Sequence, residues 1–269
     1  MILPPGFVEI RAAGARAIAV PDAAGWVHMT LRAGDTLHGW AERRPDRETL
    51  LGRGRVLVVP APVAGPRGAG RWAVRHYRRG GAVARHLDDR YVRLGTPRCL
   101  REAVASCAAR RRGVPTPEVL AAAIYPRGWY YRADLVTRMV ESARTLASVL
   151  FGAPDVHTEP GRGGERADPR ARREALRAAG WLVARLEALR VVHPDVHARN
   201  VLVVEHRGVV RPLVLDLDRA KTLPLSLPPP GPAMRRRLER SLRKLGRRAG
   251  CRLDRVEWDA LRAGYGDCR

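Results

Sequence analysis

Lysine is almost absent from this chain. Of its 50 basic residues only Lys221 and Lys244 are lysines, so every cationic side chain in the first 220 positions is an arginine. Abundant alanine, glycine, proline and valine suggest a GC-rich coding bias. Such a bias exchanges Lys for Arg but does not create the excess of basic over acidic residues. Cysteine is also sparse. Cys99, Cys107, Cys251 and Cys268 show no Cys-x-x-Cys spacing, which argues against a zinc site or a disulfide framework and for incidental thiols. Only two phenylalanines accompany six tryptophans, and no aromatic strand of the kind that stacks RNA bases is present. No apolar run reaches the ~18–20 residues that span a bilayer. The first residues, Met1-Ile-Leu-Pro-Pro-Gly6, lack a basic segment followed by an apolar core, so no signal peptide and a cytoplasmic location are expected.

What the chain does have is positive charge. A net charge of +23 over 269 residues calls for a polyanionic partner: nucleic acid, an anionic membrane or a phosphorylated substrate. Without zinc spacing, a base-stacking strand or a clear helix-turn-helix, no specific nucleic acid is expected. The length suits one large domain or two small lobes with a real core.

Along the chain, Phe7-Val-Glu-Ile-Arg11 and Ala17-Ile-Ala-Val20 suggest short strands, and residues 1–49 receive no chemistry. Leu50–Pro60 reads as a glycine turn feeding an apolar strand, and Trp72–Tyr77 as a second strand of the same hairpin. Thr96-Pro97 starts a helix that stops near Gly113. Val119–Tyr125 and Trp129–Val140 predict another hairpin around Pro126-Arg-Gly128, and Ala143–Phe151 a helix. Asp168-Pro169 starts a longer amphipathic helix with Leu176, Ala179, Leu182, Val183, Leu186 and Leu189 at helical spacing. A short hairpin about His206-Arg-Gly208 follows. A proline-rich linker (227–232) then leads to a basic helix, Met234–Arg248, and a short helix around Trp258–Leu261. The expected fold is α+β and protein-kinase-like. It has two lobes: a sheet-rich, nucleotide-binding lobe over 1–142, and a mainly helical lobe over 143–269 with the catalytic loop and metal site.

The stretch His193-Pro-Asp-Val-His-Ala-Arg-Asn200 gives that order its chemistry. It sets an aspartate and an asparagine five residues apart, after a helix and before an apolar strand. A second apolar strand returns in Leu215-Asp-Leu-Asp-Arg219. Phosphoryl transfer needs a held phosphate, a bridging metal and an aimed acceptor hydroxyl. Asp195 can orient the hydroxyl and accept its proton. Asn200 can offer an amide oxygen, and Asp216 an anionic one, to Mg²⁺, a hard ion that prefers such ligands. Taken alone, each is as well explained as a capping or turn residue. Together, with the helix before, the hairpin between and the carboxylate after, they suggest a kinase-like site.

Further pieces narrow the kind of kinase. These are Trp72-Ala-Val-Arg-His-Tyr-Arg-Arg-Gly-Gly81, Asp89-Arg-Tyr91, Arg101-Glu102, Tyr130-Tyr-Arg-Ala-Asp-Leu135 and Ala143-Arg-Thr-Leu146. With the Asp195/Asn200 loop and Asp216-Leu-Asp-Arg219, the sequence over about 50–265 resembles the lipopolysaccharide core kinases. The closer likeness is to the 3-deoxy-D-manno-octulosonic acid (Kdo) kinase branch, with heptose kinases as relatives. The resemblance implies ATP and Mg²⁺ as cofactors and a Kdo-lipid A precursor as acceptor. It also implies work at the anionic, cytoplasmic face of the inner membrane.

By the same resemblance, Arg75 stands where protein kinases place the lysine that holds the α- and β-phosphates, and Glu102 would fix it. A surface charge pair remains open for Glu102. Gly52 and Gly54 would let backbone amides approach the nucleotide, although a plain hairpin turn explains them nearly as well. Leu217 and Asp218 replace the aromatic and glycine of the protein-kinase metal motif, which implies no regulated activation loop. Asp218 could pair with Arg219 or touch a second metal. Arg78, Arg79 and Arg90, with the arginines of the C-terminal helix, form a basic rim suited to an anionic acceptor or bilayer. The competing possibilities are a heptose or other small-molecule kinase, a nucleic-acid-binding protein and an inactive kinase-like scaffold.

Overall fold

The computed structural model describes residues 3–50, 56–63, 70–78, 89–153 and 166–267. Two compact units divide the chain. The first comprises Met1–Cys107 with Glu118–Met139, the second Ala108–Pro117 with Val140–Arg269. The first is sheet-rich and the second mainly helical, the α+β order expected of a kinase-like chain.

In the first unit the described strands are β1 (Val8–Ala12), β2 (Ala15–Ala19), β3 (Glu48–Leu50), β4 (Val56–Pro60), β5 (Arg71–His76), β6 (Tyr91–Val92), β7 (Val119–Arg127) and β8 (Tyr130–Arg138). They form one antiparallel sheet in the order β1-β2-β7-β8-β5-β4-β3, with β6 also pairing β8. The hairpins expected from alternating apolar residues and glycine turns are present as β4–β5 and β7–β8. The helices are α1 (Pro21–Arg32), α2 (Leu37–Glu42) and α3 (Arg98–Arg111).

The first 50 residues, which carried no motif, turn out to be structural. β1 and β2 extend the sheet beyond β7. α1 packs Val27 and Leu31 into the core. Trp26 meets Trp40 and Trp72 edge-to-face at 5.1 and 5.3 Å, a geometry that aromatic quadrupoles favour. The first amides of α2 are capped by groups distant in sequence. Leu37 N–H donates to the Tyr125 hydroxyl (2.8 Å) and His38 N–H to the Asp134 carboxylate (2.9 Å).

Asp134, with no solvent exposure, is the hub of this network. It also accepts from Tyr125 Oη (2.8 Å) and binds His76 Nδ1 (2.6 Å). His76 Nε2 reaches Asp89 at 3.3 Å, and Arg132 pairs with Asp89 at 2.6 Å. The motif residue His76 is therefore a cross-brace between β5, β8 and the segment leading into β6.

In the second unit, β9 (Arg144–Thr145) pairs with β11 (Val201–His206), which pairs with β12 (Val209–Val214). The helix expected over 143–151 is shorter. Arg144 and Thr145 are drawn into the sheet, and α4 (Leu146–Phe151) starts where Thr145 Oγ1 caps Ser148 N–H. α5 (Pro169–Ala188) is capped by Asp168, with Pro169 in its first turn, as the sequence requires. Leu176, Ala179, Leu182, Val183 and Leu186 are buried along one stripe.

β10 (Val191–Val192) and β13 (Lys221–Thr222) make a small ladder. α6 (Ala233–Arg248) and α7 (Arg255–Gly266) complete the unit. α7 begins earlier than expected because Asp254 and Glu257 form a reciprocal capping box. It crosses α5 where two glycines meet. A Cβ at Gly180 would strike the Leu261 carbonyl, and one at Gly264 the Arg177 carbonyl. Glycine is required at both positions by backbone approach.

The His76 brace makes stability depend on pH. Burial works to lower the His76 pKa, but Asp134 and Asp89 outweigh it and the net direction is up. A histidine whose folded pKa is raised stabilises fully below its unfolded value of about 6.5, and the contribution fades as pH rises through the folded value. His76→Gln should therefore fall short of the native chain by most below pH 6.5. The gap should narrow with rising pH in urea denaturation. A gap independent of pH would contradict the charged brace.

Candidate active site

The loop 193–200 is held from three sides. His193 is fully buried. Its Nε2 lies 3.1 Å from the Leu215 carbonyl, and Asp195 N–H points to its Nδ1 at a long 3.4 Å. A carbonyl only accepts and an amide N–H only donates, so the ring is the neutral tautomer protonated on Nε2. Burial lowers the His193 pKa, and the opposing pull of the Leu215 carbonyl, Asp216 and Asp195 does not reverse it. Asn200 N–H donates to the His197 carbonyl (2.8 Å), and Leu215 N–H donates to the Asn200 carbonyl (2.9 Å). The end of β12 is thereby fastened to both ends of the loop.

That fastening places the candidate metal residues in one local unit. The Asn200 side chain donates its Nδ2 to the Asp195 carbonyl at 3.1 Å. Its amide nitrogen is thus committed, and its oxygen is the end left to offer a cation. Asp216 adopts a left-handed backbone conformation (φ 59°, ψ 56°) before the 3₁₀ turn Leu217–Arg219. Aspartate tolerates that region better than most side chains. Leu217 and Asp218 are buried beneath it. One carboxylate and one amide oxygen fit Mg²⁺, which keeps several waters and substrate phosphates in its shell. Among the described residues no group of three His, Cys, Asp or Glu forms a self-sufficient metal cage.

The third side is α6, and here sequence reasoning missed the main point. The helix was expected to supply a basic rim. Beside its exposed basic residues, Met234, Arg237 and Ser241, spaced to share one helix face, all touch the loop. His193 N–H meets Met234 Sδ at 3.3 Å, Ala198 N–H donates to Ser241 Oγ at 3.2 Å, and the Arg237 guanidinium pairs with the Asp195 carboxylate. Arg235 is also engaged: its Nε and Nη2 both donate to Glu187 Oε2 (2.9 and 2.5 Å), and its guanidinium lies 4.8 Å from the Tyr265 ring centroid. Burial works to raise the Asp195 pKa. The Arg237 hydrogen bond, aided by His197 and His193, outweighs it and the net direction is down. Asp195 is therefore an ionised, weakly basic carboxylate, better suited to aiming a hydroxyl than to stripping it early.

In the first unit Arg75 pairs with Glu102 at 2.5 Å. Glu102 is buried, so it is not a surface charge pair. Tyr77, not singled out from the sequence, completes the arrangement. Its hydroxyl donates to Glu102 and accepts from Arg75 (2.9 Å), and the Arg75 guanidinium lies 4.7 Å from its ring centroid. Burial drives the Tyr77 phenol well above its usual pKa, so it remains a donor. Cross-strand partners share a sheet face, which sets Arg75 beside Val56 and Ala73 beside Val58. With Leu50 and Met139 these make a small apolar cluster next to the cation. Arg78 and Arg90 are exposed. Gly52, Gly54 and Arg79 lie outside the described residues.

Comparison with known proteins fits this geometry. A family model described as the lipopolysaccharide kinase (Kdo/WaaP) family matches residues 57–265. A 3-deoxy-D-manno-octulosonic acid kinase of Actinobacillus succinogenes is 31% identical over 204 residues, 72% of this chain and 74% of that protein. One from Xanthomonas oryzae pv. oryzae is 31% identical over 225 residues, 80% of this chain and 76% of that protein. A solved structure of WaaP in complex with acyl carrier protein shares the fold, with a TM-score of 0.50 at 16% identity over 90% of this chain and 86% of that one. By the extent of the family match and of its relatives, this chain belongs to the lipopolysaccharide kinase (Kdo/WaaP) family.

Proposed function

We propose that this chain transfers the γ-phosphoryl group of ATP to a hydroxyl of a Kdo sugar on a lipid A precursor, in building the inner core of lipopolysaccharide. The observation that carries it is the joined loop, in which Asp195, Asn200 and Asp216 are locked together through His193 and Leu215. Relatives named 3-deoxy-D-manno-octulosonic acid kinase supply the acceptor. The family makes the chain an ATP-using phosphotransferase.

In this scheme the acceptor oxygen bonds to the γ-phosphorus as the bond from that phosphorus to the β-bridging oxygen breaks. ADP leaves and the hydroxyl proton passes to Asp195. A loose transition state develops little positive charge on the attacking hydroxyl until late. A weak base that orients is therefore sufficient, which suits the lowered Asp195 pKa. Mg²⁺, when bound, neutralises charge on the phosphate oxygens, and Asn200 and Asp216 would hold it. Arg75 grips the α- and β-phosphates, its guanidinium fixed by Glu102 and Tyr77. Arginine at that place binds phosphate bidentately. Val56, Val58 and Ala73 offer an apolar face for the adenine.

Arg237 has a second task in this reading. A Kdo acceptor carries a carboxylate near its hydroxyls. The guanidinium already on Asp195 has further N–H donors, and it holds that carboxylate while Asp195 aims the hydroxyl. The surface of the inner membrane is the proposed place of action. No described helix is long and apolar enough to cross a bilayer, so attachment would be peripheral.

Two experiments test the proposal. Purified protein with labelled ATP, Mg²⁺ and Kdo-lipid A precursor should label the lipid, and heptosylated core should remain unlabelled. Asp195→Ala should cut turnover by roughly 10²–10⁴-fold with nucleotide affinity unchanged. Label on neither acceptor would refute the function, and full turnover by D195A would refute the role of Asp195. In the second, Arg237→Ala should raise the acceptor KM about tenfold or more while the ATP KM stays fixed, with partial recovery in Arg237→Lys. A loss confined to kcat would show that Arg237 only props the loop.

A further inference from the structure

The corner formed by β6 and the β7–β8 hairpin carries side chains that the fold does not use. Leu94 and Trp129 are each 84% exposed, and Val92 and Tyr130 beside them are also exposed. Four large apolar groups thus stand in water at one place. They are held firmly. Val92 pairs with Tyr130 in the ladder, Arg93 N–H donates to the Trp129 carbonyl at 3.0 Å, and the Arg93 guanidinium reaches the Gly128 carbonyl at 3.3 Å.

The charge around them is mainly positive, with Asp89 paired to Arg132 and Glu9 to Arg16. Residues 90–98 and 124–132 include Arg90, Arg93, Arg98, Arg127 and Arg132 and not one Asp or Glu. Beside the corner lies a cavity of about 380 Å³ whose lining mixes Arg16 and Arg93 with Leu100, Ile124, Pro126 and Tyr131. Tryptophan settles at the headgroup level of a bilayer, where its ring is half apolar and its N–H finds a partner. Leucine reaches the acyl boundary, and arginines pair with anionic headgroups.

α6, another basic surface, lacks the apolar half of this chemistry. Its Met234, Leu238 and Leu242 are buried in the second unit, and Arg235 and Arg237 are each paired with a carboxylate of that unit. We propose that the chain docks on an anionic bilayer through the β6/β7–β8 corner, with Trp129 and Leu94 entering the headgroup layer. The cavity lined by Arg16 and Arg93 gives a lipid phosphate room beside them. This deepens the lipid-acceptor reading and rests on it for its biological purpose, but its test needs neither ATP nor acceptor.

The full chain is sedimented with vesicles of phosphatidylcholine alone or with about one third phosphatidylglycerol. The native chain should bind the anionic vesicles and lose affinity as salt rises, because exposed charges are screened over ~10 Å at 0.1 M. Leu94→Ser with Trp129→Ser should weaken that binding at least tenfold at an unchanged Tm. Arg236→Glu with Arg240→Glu on α6 should weaken it less. Equal vesicle binding by the native and corner-substituted chains overturns the proposal. So does a corner substitution that abolishes binding to an acidic carrier protein while leaving vesicle binding intact. A chain that transfers no phosphate yet binds vesicles through the corner would refute the kinase assignment alone.

Discussion

One buried imidazole holds the candidate catalytic loop together. His193 joins the backbone of Asp195 to the carbonyl that precedes Asp216, and it does so only as the neutral Nε2–H tautomer. Phosphoryl transfer depends on positions more than on covalent chemistry, so a loop and a strand end that moved separately would aim the hydroxyl and the metal at different places. Replacing the ring by an apolar group would leave buried backbone partners unsatisfied, at about 1–3 kcal/mol each. Asn200 reinforces the tether through Leu215, and α6 closes it from the other side through Met234, Arg237 and Ser241.

Arginine serves three different ends in this chain. Arg75 and Arg237 are the cations of the proposed site, each held by a carboxylate. Arg132, Arg172 and Arg235 join elements of one unit through Asp89, Glu257 and Glu187. Others, such as Arg93 and Arg127, remain at the surface beside exposed apolar groups. The net charge of +23 is therefore not one diffuse field. The near-absence of lysine also leaves at position 75 a planar guanidinium whose orientation is set by two partners, Glu102 and Tyr77.

Much of this was legible in the chain because it is local. Asp168-Pro169, the apolar stripe behind it and the glycine turns each specify their own element within a few residues. The spacing of Asp195, Asn200 and Asp216 likewise follows from a loop and a hairpin in order. α1 was opaque because Val20 offers no side-chain cap and Trp26 and Met29 sit on opposite terms with solvent, one packed against Trp40 and one 73% exposed. The start of α7 is legible in Asp254-x-x-Glu257, a capping signature. Tyr77 and Arg237 could not be found by spacing. Each acts through a partner 25 or 42 residues away, and only the fold brings those partners together. On the basic helix, composition counts charges without showing that Arg235 and Arg237 are paired with carboxylates.

The tether can be observed directly. Nitrogen-15 chemical shifts of the His193 ring in the intact chain report both tautomer and protonation. A neutral ring protonated on Nε2, whose titration lies below the ordinary value near 6.5 as burial requires, is the predicted result. A ring protonated on Nδ1, or one that titrates at or above the ordinary value, would mean that His193 does not join Asp195 to the strand bearing Asp216.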